Sequence, residues 1–78
     1  MSDTATKRAI RDALQFFGEQ HPYLRMLRTR IYQITPDINL EQINDALIEL
    51  ERDGDVERYR SFDKELWKLT DPGRRVAQ

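Results

Sequence analysis

Asp53-Gly54-Asp55-Val56-Glu57-Arg58-Tyr59-Arg60-Ser61-Phe62-Asp63-Lys64-Glu65-Leu66-Trp67-Lys68-Leu69-Thr70 is the stretch on which the fold turns. Before Gly54 the apolar residues recur at helical spacing, and after it they follow the alternating period of strands. Residues 55–60 and 65–70 therefore read as two strands joined by Ser61, Phe62, Asp63 and Lys64. With Arg60 opposite Glu65, Arg58 faces Trp67, Glu57 faces Lys68 and Val56 faces Leu69. That register pairs opposite charges and sets a guanidinium on an indole, each worth a few tenths to ~1 kcal/mol. A four-residue connection is expected over a two-residue one. Val56, Trp67 and Leu69 then point to the core, while Tyr59 and Leu66 share the outer face.

Upstream, Leu40, Ile43, Leu47 and Leu50 place one apolar stripe on a helix ending at Asp53, with Gly54 as its cap. Asn39 is its natural N-cap, and Gln42 three residues on completes a capping box worth ~1 kcal/mol. Thr35, Pro36, Asp37 and Ile38 form a tight turn joining this helix steeply to the one before it. That preceding helix carries Leu24, Leu27, Ile31 and Ile34 and begins after Pro22, which biases His21 away from helical geometry. A first helix runs from about Thr4 to Phe17, with Ile10, Ala13, Leu14 and Phe17 on one stripe, and Gly18 stops it. Thr70 can cap a final short turn running through Pro72 toward Val76. The expected class is α+β, mostly α: three helices and a C-terminal hairpin, with residues 1–78 as a single domain.

The order helix, helix, helix, hairpin resembles the winged helix-turn-helix domains of bacterial regulators such as the MarR and PadR families. Ala46-Leu47-Ile48-Glu49-Leu50-Glu51-Arg52-Asp53-Gly54-Asp55-Val56-Glu57-Arg58 is similar to the ending of their recognition helix. Leu69-Thr70-Asp71-Pro72-Gly73-Arg74 is similar to the segment after their wing. The resemblance implies a small DNA-binding transcriptional or phage-type regulator whose third helix reads a major groove. It departs in two places. The exposed positions of the third helix are Glu41, Gln42, Asn44, Asp45, Ile48 and Glu49, where DNA readers usually carry Ser, Thr, Gln or Arg. The sequence also stops at Gln78, where those regulators often continue into a dimerisation helix, so the oligomeric state is open.

Composition bounds the function. Thirteen Lys and Arg against fourteen Asp and Glu give a net charge of −1, unlike a strongly basic nucleic-acid binder. The charge is uneven, because residues 35–53 hold Asp37, Glu41, Asp45, Glu49, Glu51 and Asp53 against Arg52 alone. The absence of Cys excludes a disulfide framework, thiolate zinc ligation and thiol nucleophiles. No apolar run reaches the roughly 18 residues of a membrane span, and the opening MSDTATKRAI lacks a signal-peptide apolar segment, so a cytoplasmic location is expected.

Two partners fit these residues. Double-stranded DNA would be met by Arg25, Arg28, Gln42, Asn44, Arg58, Arg60 and Lys64, with Gln42 and Asn44 able to read adenine. Lys7, Arg8 and Arg11 of the first helix are further phosphate candidates, although scattered surface cations also serve plain solubility. A basic protein partner would instead meet Leu40, Glu41, Asp45, Ile48 and Glu49. Phe62 at the hairpin tip is expected to fold back on the core, or else to serve a contact. A lone His21 makes no triad or metal site, and the acidic stripe lacks converging ligands from a second element. Trp67 is expected in the core rather than as a stacking platform for single strands. No enzyme activity, catalytic residue, metal or cofactor is expected.

Overall fold

The computed structural model describes the backbone of residues 3–77 and the side chains of residues 3–75. Its elements run α1 (Thr4–Phe17), α2 (Leu24–Ile34), α3 (Leu40–Arg52), β1 (Val56–Ser61), β2 (Lys64–Leu69) and α4 (Asp71–Ala77). The α+β class and the order expected from the sequence are both present. The side chain of Val76, named above as the end of the final turn, lies outside the described residues.

Local chemistry sets each boundary. Asp3 caps α1 by accepting from the Thr6 amide at 2.6 Å, which holds its carboxyl below the usual carboxylate range. α2 has no side-chain cap and starts where Pro22 releases the chain. α3 has the full capping box: Asn39 Oδ1 accepts from the Gln42 amide at 2.8 Å, and Gln42 Oε1 accepts from the Asn39 amide at 2.9 Å. After α3 the chain needs a left-handed residue to turn toward β1, and Gly54 supplies it at φ +83°. Thr70 caps α4 through its hydroxyl, which accepts from the Gly73 amide at 3.1 Å.

The core is built from one stripe of each element: Ile10, Ala13 and Leu14 of α1, Leu27 and Ile31 of α2, Ile43, Ala46, Leu47 and Leu50 of α3, then Val56, Trp67 and Leu69 of the hairpin. Ile38, from the tight turn before α3, closes it from below. The hairpin register is the one its charges predict, with Val56 opposite Leu69, Glu57 opposite Lys68, Arg58 opposite Trp67 and Arg60 opposite Glu65. Two expectations need correction here. Ser61 also pairs with Lys64, so the loop is Phe62-Asp63 alone, a two-residue connection rather than four. The strands simply pair to the last residue the turn allows. Phe62 does not fold back on the core: it is 99% exposed, because a two-residue turn at the far end of the ribbon holds it beyond reach of every helix.

The connector between α1 and α2 packs on the hairpin as a fragment of a third strand. The Trp67 amide donates to the Pro22 carbonyl at 2.9 Å, and Tyr23 forms a bridge with Leu66. The wing is thereby fixed to the start of α2. Sequence periodicity carried no sign of this, since a two-residue bridge is too short to show a period, although Pro22 forces the extended backbone that permits it.

Candidate nucleic-acid interface

The face of α3 turned away from the core carries Glu41, Asp45, Ile48 and Arg52, with Ile48 half-exposed at its centre. Glu41 and Asp45 form no ion pair among the described residues. Glu49, expected on the same acidic face, is turned instead toward α1, where Lys7 Nζ lies 3.3 Å from its carboxylate. At ~100° per residue, positions spaced by four drift around the helix, and the third of the series has reached the flank that meets α1. Leu40 is half-buried on the other side of that face.

Neither side chain expected to read adenine is fully free to do so: Gln42 is exposed but engaged in the helix cap, and Asn44 is partly buried. A bidentate contact to adenine needs the carbonyl and the amide of one side chain together. Gln42 has its carbonyl committed to the cap.

The cations divide into two groups. Several are neutralised by tertiary structure. Lys7 lies between Glu49 and Asp53, Arg11 is buried with its guanidinium 3.6 Å from Asp55, and Lys68 meets Glu57 at 3.5 Å. Arg58, expected to contact phosphate, belongs to this group. It lies on the inner face of the hairpin over the Trp67 ring, with Nε 3.2 Å from Glu51 and from Glu65 and with Nη2 donating to Glu51 Oε1 at 3.2 Å. Its strand position points it at α3, and a phosphate would have to displace two carboxylates to reach it. Of the α1 candidates, Lys7 and Arg11 are likewise engaged, whereas Arg8 is exposed and forms no ion pair among the described residues.

Arg25, Arg28 and Arg60 form no ion pair among the described residues. Arg60 and Lys64 are exposed on either side of the hairpin tip. Lys64 Nζ lies 4.6 Å from the Tyr23 ring centre, a cation–π contact that ties the wing tip to the N-cap of α2. Arg25 and Arg28 follow within the next turns of α2 and share one flank with Tyr32, Arg25 exposed and Arg28 half-buried. The opposite flank carries Arg30, stacked 3.7 Å over Phe16. The role of Tyr23 was hidden in the sequence; the Pro22-Tyr23 pair, extended by the proline and aromatic, was its only signal.

His21 Nδ1 and the Tyr59 hydroxyl are hydrogen-bonded at 2.5 Å with their rings edge to face, on the outer side of the hairpin. Among the described residues no group of three or more His, Cys, Asp or Glu is placed to hold a metal ion, and no helix is long and apolar enough to cross a membrane.

No family model matches the chain, and no curated protein does. Among solved structures, SSV1 F-93 is similar at a TM-score of 0.76 and 20% identity, over 91% of this chain and 77% of that chain. The likeness is one of fold, and with three helices followed by an antiparallel hairpin the chain is an α+β winged helix.

Proposed function

We propose that this chain is a DNA-binding winged-helix module of the regulator type, a binding protein and not an enzyme, acting in the cytoplasm. It holds the duplex chiefly with its wing and the start of α2. The observation that carries this proposal is the projecting tip, where Arg60 and Lys64 stand exposed on either side of Phe62, whereas Lys7, Arg11 and Arg58 are engaged by carboxylates. A hairpin brings its two strands to within ~5 Å of each other, and a minor groove about 6 Å wide lined by phosphate on both rims suits such a tip. Arg25 and Arg28 extend the basic surface along α2. The acidic face of α3 makes deep insertion into a major groove unfavourable, because Glu41 and Asp45 would each approach phosphate with the wrong sign. The resemblance to MarR and PadR regulators supports DNA as the partner without requiring their mode of major-groove readout.

Fluorescence anisotropy of a mixed-sequence duplex, titrated at several salt concentrations, tests the proposal. Binding should weaken steeply with salt, and Arg60→Ala with Lys64→Ala should flatten the log–log slope by about one for each phosphate no longer neutralised. Absence of binding at tens of micromolar protein in ~50 mM salt would refute it.

One observation favours a second function. Ile48 is 50% exposed and flanked by Glu41 and Asp45, a combination suited to a partner surface with an apolar centre and basic rim. Capture of a basic protein that is abolished by Ile48→Asp would support that alternative.

A further inference from the structure

Resting on the DNA binding proposed above, we propose that Phe62 is an apolar wedge that enters the minor groove and inserts between base steps. The residue stands apart in two independent ways. It is 99% exposed, the most exposed of the large apolar residues among those described. Its backbone is left-handed at φ +56°, the only non-glycine described residue in that region. Asp63, the second loop residue, has no positive φ, so the turn follows the pattern of type II′, whose first loop position normally belongs to glycine. A phenylalanine there costs backbone energy and leaves its ring in water; neither cost is offset within the chain. Strain kept at an exposed site motivates a functional explanation.

The surroundings indicate which partner would make use of it. Six consecutive cross-strand pairs, the Trp67-to-Pro22 hydrogen bond and the Lys64–Tyr23 contact hold the ribbon stiffly at its base, so the ring is presented on a firm support. Arg60 and Lys64 bracket it with charge suited to phosphates on either rim of a groove. Glu65, opposite Arg60 in the register, has its carboxylate 3.2 Å from Arg58. Asp63 opposes phosphate at the tip, and its removal should strengthen binding. Wedges of this kind unstack a step and bend the duplex toward the major groove. Bending away from the wing would also relieve the approach of phosphates to Glu41 and Asp45.

The test uses the whole chain and a duplex of about 20 base pairs containing flexible TA and CA steps. Phe62→Ala should weaken binding about tenfold at every salt concentration, leaving the salt slope unchanged, because stacking releases no counterions. Phe62→Trp should bind like the parent, and its added emission should be quenched and protected from acrylamide by the duplex. Trp67 is buried and gives a constant background. If the parent binds while Phe62→Ala binds equally well and the new Trp stays open to acrylamide, the wedge is overturned and DNA binding stands. If the parent itself does not bind, both are overturned, and the tip is then a contact for something other than DNA.

Discussion

Every polar group of Asp55 faces another element. Its amide donates to the Leu50 carbonyl at 2.9 Å, its carbonyl accepts from the Thr70 amide at 3.1 Å, and its carboxylate lies 3.6 Å from Arg11. One residue thus fastens α1, α3, β2 and the entry to α4. Gly73 sits directly over its carbonyl, and a Cβ built on Gly73 would overlap that oxygen. Backbone cannot give way as a flexible side chain can. Gly73→Ala should therefore cost about 2–3 kcal/mol in urea denaturation, and an unchanged midpoint would show that α4 lifts away without consequence. Phe62 should respond in the opposite direction: Phe62→Gly relieves the left-handed strain and should leave stability unchanged or raised by up to ~1 kcal/mol, the expected sign for a residue kept for binding. The Asp3 cap adds a pH dependence. Its carboxyl titrates lower in the folded chain than in the unfolded one, so its contribution is present above the ordinary carboxylate range and is lost as pH falls through the lowered value. Asp3→Ala should flatten the acid limb of the stability curve, and an identical limb would refute the cap. The Asp55 hub was not legible in the sequence, because its partners Arg11 and Thr70 lie far away along the chain and share no period with it. Gly73 looked like part of a short segment and gave no hint of the carbonyl beneath it.

At the scale of elements, the sequence was informative wherever a period or a cap is local. The Asn39–Gln42 capping box and the hairpin register followed from residue types a few positions apart, and both are present. Arg58 shows where local reasoning stops: its stacking on Trp67 was readable from the cross-strand pairing, but the Glu51 carboxylate that holds it inward comes from a neighbouring helix. Glu49 is the parallel case on α3, drawn to Lys7 of α1. Packing, rather than spacing, decides which charges of a helix remain available. Trp67 is 5% exposed and joins the hairpin to the helical core. Trp67→Ala should cost ~3–5 kcal/mol, enough to unfold most of so small a domain, and the native emission should lie well to the blue of tryptophan in water. An emission maximum typical of water would contradict this placement.

For the molecule as a whole, a net charge of −1 conceals a sorting of charge in space. Carboxylates engage Lys7 and Arg11 of α1 and Arg58 of the inner wing, while acid stands on the outer face of α3 and base at the wing tip and along one flank of α2. The central claim is that these two surfaces act on DNA with opposite sign. It is tested most directly by measuring the affinity of one mixed-sequence duplex, at one low salt concentration, for the parent chain, for Arg60→Ala with Lys64→Ala, and for Glu41→Gln with Asp45→Gln. Each unit charge at a few ångströms is worth ~0.5–1 kcal/mol in high dielectric, so the wing pair should weaken binding and the α3 pair should strengthen it, each by several-fold. A wing variant that binds like the parent, or an α3 variant that binds more weakly, would contradict the account.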